Sequence, residues 1–206
     1  MTRATASGAG RDYLAPVLAR AVTVWGLAVL LCACGPPQVM LAVQAPATFE
    51  EEPGGYETAK VVHVVDGDTA DVRITQITPG PGAGHTTPGK VYRVRFLGID
   101  TPESVKPGTP VQCFATAASG ATKALIEGAV VRLVKDVEET DQYDRILRYV
   151  YLGDEMVNAR LVVNGYARLL TYPPNVRHAD LFLALERDAR SHDRGLWSPE
   201  TCDGGR

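Results

Sequence analysis

The chain has 206 residues and a formal net charge of −3. That length fits one domain with appendages, and the charge excludes a protein that coats nucleic acid through a broad basic surface. An enzyme that gathers a few arginines and a cation at one site, with an acidic surface elsewhere, stays compatible.

Residues 1–34 read as an export signal. Arg3, Arg11 and Arg20 precede an apolar run over residues 21–33, which is short for a bilayer span of about 20 residues. The run ends Leu31-Cys32-Ala33-Cys34. This ending resembles a bacterial lipoprotein signal, with Cys34 as the lipidated first residue and the membrane as a partner. A plain secretory peptide or an uncleaved anchor is the alternative. Residues 35–57 carry Gly-Pro-Pro, Ala-Pro-Ala and Glu-Glu-Pro-Gly-Gly without helical or strand period. They read as a flexible tether, with Glu50-Glu51-Glu52 and Glu57 as solvated tether charges.

The folded domain is expected over residues 58–200, followed by a short tail, 201–206. Residues 60–65 are rich in β-branched side chains and read as a strand. Residues 69–77 alternate Ala70, Val72 and Ile74 against Asp71, Arg73 and Thr75, the pattern of a half-buried strand. A Gly/Pro-rich surface insertion follows, 78–90, then a third strand over 91–99. Residues 102–110 form a second loop. Residues 111–127 predict a helix on Phe114, Ala118, Ala121 and Leu125, stopped by Gly128. Strands over 129–134 and 146–152, and helices over 156–164 and 179–191, complete the pass. Leu196 and Trp197 are expected to pack as core. The fold class is α+β, mainly β: a five-stranded OB-fold barrel with three helices.

Three short segments carry the chemistry. They are Val65-Asp66-Gly67-Asp68-Thr69, the stretch from Arg95 through Asp100-Thr101-Pro102-Glu103, and Asp141-Gln142-Tyr143-Asp144-Arg145. Each joins a β-branched run, so the acids project from strand ends. Two carboxylates with a backbone carbonyl suit a hard cation, a further carboxylate suits a general base, and two guanidinium forks suit a phosphate.

These motifs, in this order, resemble the staphylococcal nuclease-like (thermonuclease) family. The resemblance continues through Met156-Val157-Asn158, Gly165-Tyr166-Ala167, Tyr172-Pro173-Pro174-Asn175 and Gly195-Leu196-Trp197-Ser198. It implies Ca2+ held by Asp68, Asp100 and the carbonyl of Thr101. It implies Glu103 as the group acting on water, and Arg95 and Arg145 as phosphate clamps. Tyr143 and Tyr172 would contact the nucleotide. Asp66 would assist behind the metal, with a plain Asp-Gly turn as the alternative reading of Asp66-Gly67. Gln142 stands where a basic residue is common, and Asp144 and Ile146 replace glycines expected beside Arg145.

Beyond the leader only Cys113 and Cys202 remain. An even pair in an exported domain suggests one disulfide, closing a loop of about 90 residues with an entropic ceiling of about 4–5 kcal/mol. Two unrelated free thiols are the alternative. The expected protein is an exported, lipid-anchored, monomeric, calcium-dependent endonuclease. It would act on DNA and RNA with little sequence preference and leave 3′-phosphate ends. A non-catalytic OB module that binds nucleic acid or protein is the competing expectation.

Overall fold

A computed structural model describes residues 48–104, 108 and 110–202. The leader, Cys34 and most of the expected tether lie outside the described residues. Five long strands form the barrel: β1 (Tyr56–Asp66), β2 (Thr69–Thr78), β3 (Val91–Phe96), β5 (Val130–Val134) and β6 (Ile146–Leu152). They are ordered β3-β2-β1-β5-β6, and a parallel pairing of β3 with β6 closes the ring. A short strand, β7 (Glu155–Met156), extends β6. The alternation read in β2 holds, with Ala70, Val72 and Ile74 buried inside. Closure removes both sheet edges.

The third expected strand is divided. β3 stops at Phe96, and Ile99–Asp100 forms a separate short strand, β4, paired with β8 (Arg168–Leu169). Gly98 makes the break: its φ is +77°, and a Cβ there would run into the Phe182 ring. The bend points the chain from the barrel wall toward Asp100.

Helix α1 (Ala115–Ile126) starts later than the sequence pattern suggests. Phe114 adopts a left-handed φ of 68° and cannot belong to it. The buried stripe is Ala115, Ala118, Thr122 and Ile126, so Phe114, Ala121 and Leu125 are only partly covered. Helix α2 (Val157–Val163) is short, and α3 (Ala179–Ser191) packs against it. A last turn, α4 (Pro199–Cys202), follows a 3-10 turn that buries Leu196 and Trp197 beside Ala189.

The tether reading is corrected at its C-terminal end. Strand β1 begins at Tyr56, and Phe49 packs edge-on against Tyr56 and Tyr151 at 5.0 and 5.4 Å. Glu57 is 0% exposed and receives two hydrogen bonds from Arg148, at 2.8 and 2.9 Å. Arg148 also donates to Glu139. Glu52 is covered too, bonding Tyr151, Arg177 and His178. Of the expected solvated charges, only Glu50 and Glu51 are exposed. The expected surface insertion also folds inward, since Gly84 and Thr86 donate to Glu57 and Gly82 is buried.

Candidate active site

The turn between β1 and β2 carries Asp66 and Asp68. Gly67 between them has no room for a side chain, because a Cβ would meet the Thr101 hydroxyl at 2.7 Å. Thr122 of α1 donates to the Gly67 carbonyl at 2.6 Å, fixing the turn from beneath. Asp68 is buried. Its Oδ1 accepts from the Thr69 hydroxyl at 2.9 Å, and its Oδ2 accepts from the Thr101 amide at 2.9 Å and hydroxyl at 3.1 Å. The first and second acidic segments are therefore joined through Thr101.

Arg95 bridges the two carboxylates. Its Nη1 lies 3.2 Å from Asp68 Oδ2, and its Nη2 donates to Asp100 Oδ1 at 3.1 Å. The same Nη1 donates to the carbonyls of Phe96 and Ile99, at 3.0 and 2.8 Å. A guanidinium has five donors, so the Nε–H and the second Nη2–H are those not used in these bonds. Asp100 is half-exposed, at 53% of its side chain. Its carboxyl is held above the ordinary aspartate range, first by burial and then by the charge of Asp68; Arg95 and Arg168 oppose this. Two carboxylates bridged by one guanidinium beside a solvent-open cleft suit a hard cation.

Asp66 takes a role between its two sequence readings. Its Oδ1 accepts from the Gly67 amide at 2.8 Å and from the Ser104 hydroxyl at 2.7 Å, and its Oδ2 accepts from the Ser104 amide at 3.3 Å. It thus ties the turn to the segment that carries Glu103. Glu103 is itself fixed at its backbone by Gln112.

Arg145 arrives from the loop before β6. Asp141 caps that loop, accepting from the amides of Tyr143 at 2.9 Å and Arg145 at 3.1 Å. Its other oxygen accepts from Arg145 Nε at 2.7 Å, which moors one edge of the guanidinium. Asp144 adopts φ 59°. Aspartate tolerates the left-handed region better than most residues, which explains how it replaces a glycine here.

Asp66, Asp68, Arg95, Asp100, Thr101, Glu103, Tyr143 and Arg145 line one cleft of about 390 Å³. Tyr172 does not line it. It lines an adjoining cleft of about 560 Å³, shared with Arg95, Tyr143 and Arg145 and floored by Leu97, Leu147 and Leu170. Tyr143 and Tyr172 are each 69% exposed. Cys113 and Cys202 are bonded, with their Cα atoms 5.9 Å apart. Asp141 opens the third motif but receives no role from the sequence, and Ser104 and Gln112 lie outside the motifs. Only Asp141 had a usable signal, its i,i+4 spacing to Arg145.

The family model described as staphylococcal nuclease homologue matches residues 93–199. This chain belongs to the staphylococcal nuclease family. The thermonuclease of Staphylococcus intermedius is 40% identical over 141 residues, covering 68% of this chain and 76% of that protein. That of Staphylococcus hyicus is 38% identical over 142 residues, with 69% and 76% covered. Endonuclease YncB of Bacillus subtilis (strain 168) is 37% identical over 112 residues, 53% of each chain. The family model spans the segments that carry Arg95, Asp100, Glu103 and Arg145, and it ends beyond Trp197.

Proposed function

We propose that this nuclease is a calcium-dependent endonuclease that cleaves DNA and RNA with little sequence preference, leaving 3′-phosphate ends. The observation that carries the reading is the convergence of Asp68, Asp100, two arginines and Glu103 on one solvent-open cleft. Asp68, Asp100 and the Thr101 carbonyl fit a calcium ion, which when bound would neutralise phosphate charge and stabilise charge developing in the transition state.

The chain's own residues do the rest. Arg95 offers its unused donors to a phosphate oxygen while its bonds to Phe96 and Ile99 hold it rigid. Arg145, moored by Asp141, presents its other edge to the same phosphate. Glu103 orients a water and takes its proton as the water oxygen attacks phosphorus. The bond from phosphorus to the 5′-oxygen breaks, that oxygen leaves and gains a proton, and the phosphate stays on the 3′-oxygen. Tyr143 and Tyr172 offer exposed rings to bases of any identity, which supports low sequence preference.

The enzyme is proposed to act as a monomer. The leader supports export with Cys34 as a lipid anchor; Cys34→Ser would then move the protein from the membrane to the soluble fraction, and an unchanged distribution would refute the anchor. The functional test is digestion of a short DNA and a short RNA with calcium, followed by end analysis. The reading predicts cleavage of both with phosphate on the 3′ ends. Binding without cleavage would favour a non-catalytic OB module instead.

A further inference from the structure

Between Glu103 and α1 the chain returns to its starting point. The Glu103 amide donates to Gln112 Oε1 at 2.9 Å, and the Gln112 amide donates to the Glu103 carbonyl at 3.0 Å. This reciprocal pair closes the loop at its base. Gln112 is exposed, lies outside any helix and is followed directly by Cys113. Cys113 is bonded to Cys202, which is packed against Ala189, Leu196 and Trp197. The next residue, Phe114, sits at φ 68° and stacks on Tyr166 with centroids 5.6 Å apart. A bulky side chain holds that conformation only where its surroundings over-determine it. Here the disulfide lies on one side and the ring stack on the other.

We propose that Gln112, held by the adjoining Cys113–Cys202 disulfide, is a positioning residue for Glu103, so that turnover requires the disulfide to be formed. The inference rests on Glu103 acting on the attacking water, as read above. A cleft of about 270 Å³ lined by Asp100, Thr101, Gln112, Cys113, Arg168 and Cys202 sets the disulfide directly beside the metal-facing segment. Cys113 is exposed, so a small thiol reaches it. Reduction by an external dithiol proceeds by thiolate attack on one sulfur. The S–S bond breaks, and a mixed disulfide forms and is resolved by the second thiol. Two protein thiols and one cyclic disulfide result, with two electrons and two protons passed to the protein. Residues 112–114 then lose one anchor, Phe114 is freed to relax, and the Glu103 backbone loses its fixed partner. Arg95, Arg145 and Tyr143 hold the phosphate from other elements, so the loss falls on kcat and spares KM.

The test measures kcat and KM on a short DNA at saturating calcium, using the full chain. The oxidised chain, the dithiothreitol-reduced chain, Gln112→Leu and Gln112→Glu are each compared with and without Glu103→Gln. Gln112→Leu keeps the disulfide, which covers the case in which the reduced chain unfolds. Reduction and Gln112→Leu should each lower kcat by about tenfold to 10², the scale of a misplaced reacting group. KM should stay within about twofold. Gln112→Glu keeps an acceptor for the Glu103 amide and should retain most of kcat. Neither change should lower kcat further once Glu103 is Gln. Equal losses in both backgrounds, or no loss from Gln112→Leu, would overturn the inference. If Glu103→Gln alone kept full kcat, the role of Glu103 would fail first and the inference with it. A crippled Glu103→Gln beside a fully active Gln112→Leu would remove the inference alone.

Discussion

The clusters of acids around Arg148 and around Arg95 do different things. Around Arg148 the central ion pair is buried. Arg148 and Glu57 are fully buried, Arg148 donates to Glu57, Glu139 and the Leu147 carbonyl, and Gly84 and Thr86 add donors to Glu57. Around Arg95 one acid stays open to solvent. Asp68 and Asp100 share one guanidinium, Asp100 is half-exposed, and its proton affinity is raised by burial and by Asp68. The first cluster is closed and serves the barrel. The second opens on a cleft where acids and arginines meet, which suits a cation and, beside it, a phosphate. Residue type alone does not separate the two; access to solvent does.

Substitutions in the two clusters should leave opposite signatures. The largest effect is expected for Asp68→Ala and Asp100→Ala, which should lose detectable calcium binding and turnover while the domain stays folded. Calorimetry with calcium checks this, and unchanged affinity in both variants would remove the metal assignment. Arg148→Leu should do the reverse. It leaves Glu57 buried without its cation and should cost about 3–5 kcal/mol of stability. The kcat of the folded fraction should stay near wild type. Urea unfolding paired with activity measured well below the transition separates the two quantities.

Next come Arg95→Lys and Arg145→Lys. Each keeps the charge and loses the planar fork, and each should lower kcat by about 10²–10³, or about 3–4 kcal/mol. Retention of more than about a tenth of wild-type kcat in both would deny them the clamp role.

The smallest effect concerns acid. Burial pushes Glu52 upward, but hydrogen bonds from His178 and Tyr151 and the charges of His178 and Arg177 outweigh it, leaving its pKa lowered. A carboxylate with a depressed folded-state pKa contributes stability above its unfolded pKa and loses it as pH falls through the folded value. Wild type should therefore lose more stability than Glu52→Gln between neutral pH and the acid side of the ordinary glutamate range. Parallel curves for the two proteins in urea midpoint against pH would contradict the role of Glu52.

Much of the cleft is legible in the sequence because its residues sit at strand ends in short, ordered motifs. Arg95 precedes Asp100 by five positions, and Asp141 precedes Arg145 by four. Local spacing of that kind survives folding. The Arg148 cluster is not legible, because Glu57 and Arg148 are 91 positions apart, and neither is the pairing of Glu52 with His178, 126 apart. A glutamate run beside Pro and Gly looks like linker until its distant partner is known. The barrel follows from alternation in β2 and the β-branched runs. The division of the third strand does not, because Gly98 bends to admit Phe182, a residue far along the chain. The late start of α1 was hidden for a similar reason, since Phe114 fits the helical spacing but is held out of the helix beside Cys113.

The central claim is that the Arg95 cluster is a cation-assisted phosphodiesterase centre. The most direct measurement is turnover of a short DNA by the purified chain in calcium, then in excess chelator, then in restored calcium, with Asp68→Ala alongside. The account predicts cleavage, loss and full recovery for the wild type, and no cleavage by the variant at any step. Cleavage that persists in chelator, or that survives in Asp68→Ala, would contradict it.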